Sequence, residues 1–250
     1  MSTETFIDGS GFDFKIGAIV RPFEESPFRI GLAVHSPVFY DLTLSTNVIA
    51  VTYTPDSELQ RVNTTIVDSY DYTRNLDYGY DFRLHTPWTY NLSAGYTVGS
   101  SFAIGAEYEF RDYSSMRFYY SDGDDMQWEN STVKEMLKGV HTFRIGGEWK
   151  ILPQLSFRMG YNYISSAFED SAYKDLPPNS IMTDTDFSNS RSTTNITTGL
   201  GYKYLGFYVD LAYLYNTNKA DFYAFDDSAL TKTSVTNHRN KFMVTLGYRF

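Results

Sequence analysis

Nine stretches of this sequence put an apolar residue at every second position, and none of them sets a charge on its apolar side. They run roughly over 12–21, 28–44, 81–98, 102–112, 141–151, 155–165, 194–204, 207–217 and 238–250. Period two is the period of a strand, because successive side chains leave the backbone on opposite faces. In SFAIGAEYEF, Phe102, Ile104, Ala106, Tyr108 and Phe110 share one side while Ala103, Gly105, Glu107 and Glu109 share the other. FDFKIGAIV, HTFRIGGEWKI, LSFRMGYNY, FYVDLAYLY and KFMVTLGYRF repeat the scheme. The opposite face carries Arg29, Arg111, Arg144, Glu148, Arg158, Asp210 and Lys241 among many glycines. The expected fold class is all-β and antiparallel.

Composition narrows the function classes. Aromatic residues make up 18% of the 250 positions, with 22 Tyr and 19 Phe, and such side chains suit pleated, half-buried surfaces. A net charge of -9, with the 21 Lys and Arg scattered, argues against a nucleic-acid partner, which needs a concentrated basic footprint. With no Cys there is no disulfide, thiolate metal site or Cys nucleophile. No apolar run reaches the length of a spanning helix, and MSTETFIDGS lacks the basic start and apolar core of a signal peptide.

Alternation alone does not decide which face points inward. A soluble sandwich or lipocalin-like barrel would bury the apolar face and wet the charged one. Three features favour the reverse. The connections alternate short (PFEESP, GSS, LPQ, Leu205-Gly206) with gaps of about 20 to 35 residues, the order of periplasmic turns and external loops in outer-membrane barrels. The apolar faces end in Tyr161, Tyr163, Tyr202, Tyr204, Tyr213, Tyr215 and Tyr248, as an interfacial girdle requires. Glycine is abundant on the polar face, which suits a crowded lumen. The chain is therefore expected to be an antiparallel transmembrane β-barrel, or a portion of one, with about nine or ten strands, short periplasmic turns and long external loops.

The segment Phe82 to Phe118, FRLHTPWTYNLSAGYTVGSSFAIGAEYEFRDYSSMRF, resembles the FadL/TodX family of outer-membrane transporters of long-chain fatty acids and other hydrophobic compounds. GFDFKIGAIVRP with FRIGLAVH, and HTFRIGGEWKILPQLSFRMGYNYIS, are similar to further hairpins of that barrel. The resemblance implies passive uptake of hydrophobic small molecules across the bacterial outer membrane, without catalysis or cofactor. It also implies a fourteen-stranded barrel with an N-terminal plug. Counting back nine strands from a periplasmic Phe250 leaves the residues before Phe12 outside, so residues 1–250 are expected to be one β-barrel domain forming the C-terminal part of a longer barrel. The expected surroundings are a lipid bilayer and lipopolysaccharide. Leu246, Tyr248 and Phe250 match the terminal aromatic spacing recognised by the barrel assembly machinery. The competing reading is a non-transporting barrel, an adhesin or envelope structural protein with long acidic loops.

Few residues suggest chemistry. His35-Ser36-Pro37 and His85-Thr86-Pro87 form a repeated triplet on strands expected to be antiparallel neighbours. Such triplets either kink the wall near the outer rim with His35 and His85 facing the lumen, or simply end the membrane section. Glu107, Glu109, Arg111, Arg144, Glu148, Lys150 and Arg158 could form a cross-strand ion ladder. A short helix is expected from Thr132 to Lys138, capped by Ser131. By the family's pattern of aromatic entry loops, Tyr119, Trp128, Met136 and Leu137 are candidate contacts for a hydrophobic solute. Asp122, Asp124 and Asp125 depart from the EF-hand pattern and read as a solvated turn rather than a metal site.

Overall fold

The computed structural model describes residues 2–56, 61–68, 79–174, 185–225 and 231–249. Its strands are β1 (Ser2–Phe12), β2 (Lys15–Val20), β3 (Arg29–His35), β4 (Phe39–Asp56), β5 (Arg61–Asp68), β6 (Gly79–His85), β7 (Thr89–Val98), β8 (Phe102–Asp112) and β9 (Arg117–Tyr120). A helix, α1 (Gln127–Met136), precedes β10 (Gly139–Leu152), β11 (Leu155–Ile164), β12 (Phe187–Tyr204), β13 (Phe207–Tyr223) and β14 (Thr233–Tyr248). The chain divides into two compact units, one of 1–13, 38–86 and 117–130, the other of 14–37, 87–116 and 131–250.

The larger unit is one antiparallel sheet of nine strands, ordered β14-β13-β12-β11-β10-β8-β7-β3-β2. Each of the nine alternating segments supplies one of them. Residues directly opposite each other share a face, so the register tests the alternation. Leu92, Tyr108, Phe143 and Tyr163 fall in one cross-strand row, as do Phe102, Trp149, Phe157, Leu200, Leu211 and Val244. The apolar faces thus merge into one belt. Tyr163 and Tyr215 stand toward its long-loop edge, Tyr204 and Tyr248 toward the other. The short links are tight: Leu205 and Gly206 take φ of 46° and 86°, the two positive values of a type I′ hairpin turn.

None of the unit's described residues covers this belt. Phe242, Leu246 and Ile16 are 78%, 73% and 70% exposed, and the buried apolar residues among those described are only Met126, Met136, Val140 and Ala172. An apolar surface of this extent has no stable contact with water, whereas lipid needs no partner sheet. The fold is therefore the wall of an antiparallel transmembrane β-barrel. Among the described residues β2 pairs only with β3 and β14 only with β13, so the sheet is not closed.

The smaller unit is a five-stranded sheet, β1-β4-β6-β9 with β5 on β4. Its strands continue the chain of the larger sheet after breaks at the two triplets. The triplet hydroxyls explain how a break is tolerated. Ser36 Oγ accepts the Phe14 N–H at 3.0 Å, and Thr86 Oγ1 accepts the Val38 N–H at 2.8 Å, so side chains replace the ladder partners that a strand end loses. On β9, Asn130 imitates a neighbouring strand: its Oδ1 accepts the Phe118 N–H at 2.7 Å and its Nδ2 donates to the Phe118 carbonyl at 2.9 Å.

Several boundaries differ from the sequence expectations. The segments 28–44 and 81–98 are each broken in two, at 36–38 and 86–88. The helix spans Gln127–Met136 rather than 132–138, and Asn130 N–H already donates to the Met126 carbonyl, which puts Ser131 inside the helix and not at its cap. β12, β13 and β14 run well past the expected ends on the loop side.

Candidate functional site

The polar face of the nine-stranded sheet concentrates the charges. Residues opposite one another on β8 and β10 bring Arg144 Nη1 to 2.5 Å from Glu107 Oε1 and 3.0 Å from Glu109 Oε2. Arg111 Nη2 lies 3.5 Å from Glu109 Oε1, and its Nε donates to Thr89 Oγ1 at 2.9 Å. A second cluster spans four strands. Arg158 on β11 donates from Nε to Glu148 on β10 at 2.7 Å, and from Nη1 to Asp210 on β13 at 2.8 Å. That last contact passes over β12, which is possible because Gly201 stands there. A Cβ on Gly201 would meet Asp210 Oδ1 at 2.5 Å and Arg158 Nη1 at 3.2 Å. Gly201→Val is expected to break the Arg158–Asp210 bridge and lower stability by about 1–3 kcal/mol, read as a lower melting midpoint in the heat-modified gel shift. An unchanged midpoint would show the bridge to be dispensable.

Between the two clusters the face is bare. Gly95, Gly105, Gly146 and Gly160 are directly opposite one another on β7, β8, β10 and β11. Beside this row lies a cavity of about 480 Å³ lined by Arg29, Gly31, Ser93, Gly95, Glu107 and Arg144 among others. It is the part of the wall whose floor is backbone rather than side chains. The ion ladder expected from sequence is thus present in two clusters, but among the described residues no ion pair joins Lys150 to either.

The candidate contact residues are distributed over both units. His35 pairs in register with Lys15 and Thr89, on the polar face of the larger sheet. His85 belongs to the smaller sheet, where its ring lies 4.8 Å from Phe39 and 4.7 Å from Tyr119, with Phe12 5.1 Å beyond Phe39. Burial first and Arg83 second lower its pKa, against the pull of Asp41. Its ring therefore belongs, near neutral pH, to a four-ring aromatic row. Trp128 is exposed on α1. Met136 is buried: its Sδ accepts the Tyr173 N–H and its carbonyl accepts the Glu169 N–H, while Leu137 bridges Phe168. Asp122 accepts the Asp124 N–H and Asp125 pairs with Tyr119, so this acidic stretch forms a turn. Leu246 and Tyr248 lie on the belt of β14, with Tyr248 4.6 Å from Phe207; Phe250 falls outside the described residues.

One anchor was invisible in the sequence. Asp221, nearly buried in the outer part of β13, binds Arg191 Nε, Lys232 Nζ at 2.8 Å and Ser234 Oγ at 3.3 Å. Arg191 also reaches Asp170 at 2.8 Å, and Lys138 reaches Glu169 at 3.5 Å. Asn189, buried, donates to the Ala172 carbonyl at 2.7 Å. These bonds strap the 165–174 segment to β12, β13 and β14.

A lipid-facing belt backed by a charged, glycine-floored face defines the wall of an outer-membrane β-barrel. The chain belongs to the outer-membrane transport protein family OMPP1/FadL/TodX, whose model matches residues 4–237. No curated protein matches it in sequence. Solved structures similar to it include the toluene transporter TbuX of Ralstonia pickettii, 13% identical with a TM-score of 0.42, aligned over 98% of this chain and 51% of that one. A FadL homologue of Pseudomonas aeruginosa is 12% identical with a TM-score of 0.47, over 98% and 69%. OmpT of Vibrio cholerae is 12% identical with a TM-score of 0.41, over 94% and 64%. The chain spans about half the length of TbuX.

Proposed function

We propose that this chain forms part of the wall of a passive outer-membrane channel for hydrophobic compounds, long-chain fatty acids among them. Family membership together with the two-faced sheet supports this reading, and the two-faced sheet is the observation that carries it: lipid meets one side, and a charged trough about 480 Å³ in volume lies on the other. The exposed Trp128 and the ring row of Tyr119 and His85 offer first contacts to an arriving solute. In the larger unit, Met136 and Leu137 hold the 165–174 segment and His35 stands on the lumenal wall, as further candidate contacts. No covalent step, metal or cofactor takes part. Bilayer lipid and lipopolysaccharide surround the belt, and the barrel assembly machinery inserts the chain through Leu246, Tyr248 and Phe250.

The test is uptake of labelled long-chain fatty acid, and separately of toluene, by cells carrying the protein, alongside its migration on unboiled gels. Uptake above the empty-vector control is expected. A folded, heat-modifiable outer-membrane protein that raises neither uptake would leave the chain as an adhesin or envelope barrel.

A further inference from the structure

The outward face of β13 and β14 changes character abruptly on the long-loop side. Going up β14 from Phe242, the same face presents Asn240, His238 and Thr236; on β13 it passes from Tyr213 and Tyr215 to Thr217 and Lys219. His238 lies directly opposite Thr217, and Lys219 directly opposite Thr236, which makes Lys219 and His238 diagonal neighbours about 7–8 Å apart at the backbone. Four residues at about 3.4 Å each, on strands tilted by about 40°, lift His238 about 10 Å above Phe242, the level of lipid headgroups.

The side chains at that level form a donor set. Tyr215 Oη lies 2.8 Å and Thr217 Oγ1 3.2 Å from His238 Nδ1, with the Tyr215 and His238 rings stacked 11° from parallel. In the tautomer where the Tyr215 hydroxyl donates to Nδ1, the exposed imidazole carries its proton on Nε2 and presents that N–H outward. Lys219 is exposed and makes no ion pair among the described residues. The carboxylate two positions along its strand, Asp221, is already held by Arg191 and Lys232.

The geometry points to a binding site for the phosphate of an outer-leaflet glycolipid, formed by Lys219, His238 and Thr236. This rests on the membrane reading above, because it places His238 beside lipid headgroups. An ammonium, an imidazole N–H and a hydroxyl match a phosphate group's acceptor oxygens, and the belt below accommodates its acyl chains. The protein contains its own contrast. Tyr108 Oη lies 2.7 Å from His141 Nδ1 on the same outward face, between β8 and β10, yet that face of β8 and β10 carries no lysine or arginine near His141.

The test is native mass spectrometry of the detergent-held protein with diphosphorylated and with dephosphorylated lipid A. The wild type is expected to retain the phosphorylated form about five- to tenfold more. Lys219→Gln with His238→Gln should abolish the preference, and His141→Gln should keep it. Inorganic phosphate at equal concentration should not compete. Equal retention of both lipids, or a preference that survives the double change, overturns the site. Competition by free phosphate overturns the lipid assignment. A protein recovered folded without detergent overturns the membrane reading itself, a distinct failure.

Discussion

Replacing Arg144 with methionine is expected to lower the temperature at which the folded form disappears on unboiled gels more than any other single neutralisation on the polar face. Arg144 is the partner of both Glu107 and Glu109; without it Glu107 has no cation within reach among the described residues, and Glu109 keeps only Arg111 at 3.5 Å. Glu109 is 17% exposed at its side chain, so its charge is poorly hydrated, whereas Glu107 at 38% retains water. Breaking a fully buried pair costs about 3–5 kcal/mol; partial hydration here reduces the expected loss to about 2–3 kcal/mol. The cost is the orphaned carboxylates, not the missing guanidinium. Adding Glu107→Gln and Glu109→Gln to the Arg144 change should therefore recover most of the stability. A triple variant no more stable than Arg144→Met would show that packing, not charge, sets the effect.

The second large effect is at Asp221. Asp221→Asn removes the charge that holds Arg191 and Lys232 while leaving both cations in place. Release of the 165–174 segment by about 3 kcal/mol is expected, seen as faster tryptic cleavage after Lys174. The pH dependence has a definite sign. Burial alone would raise the Asp221 pKa, but hydrogen bonds from Lys232 and Arg191 and their charges hold it below the usual aspartate value. A carboxyl with a depressed folded pKa contributes its stability above the unfolded value of about 3.9, and that stability is lost as pH falls through the folded pKa. Protease protection should thus stay level from pH 8 to 5 and fall only below about pH 4. The asparagine variant should show no such fall, and a wild type that loosens already near pH 6 would contradict the assignment.

What the sequence disclosed follows where the bilayer lies. Between about Phe207 and Tyr215 lipid demands an apolar residue at each outward position, and the strand is plain to read. Beyond the bilayer that demand ends, so NTNKADFY in β13 and SNSRSTT in β12 continue as strand without any alternation. β1 hides for a related reason, since Phe6 and Ile7 are adjacent and Gly9 and Gly11 interrupt the side-chain pattern. The polar-face ions were legible because a two-residue period aligns Glu107 with Arg144, and Glu148 with Arg158, once neighbours are known. The strap at Asp221 was not, because its partners at 170, 191 and 232 are gathered by loop folding that no period records. For the same reason the candidate mouth residues, chosen for composition, divide between an exposed Trp128 and a buried Met136.

Alternation guards a strand against a slip of one residue, which would turn its apolar face to the lumen, but a slip of two preserves both faces and goes unpunished by lipid. The bridge from Arg158 across Gly201 closes that loophole. Sliding β11 by two positions against its neighbours would part Arg158 from Glu148 and Asp210 together, and sliding β10 would part Arg144 from Glu107 and Glu109. In a wall whose greasy side accepts either alignment, the few charges on the wet side act as the index marks that fix strand stagger, and with it the width of the barrel.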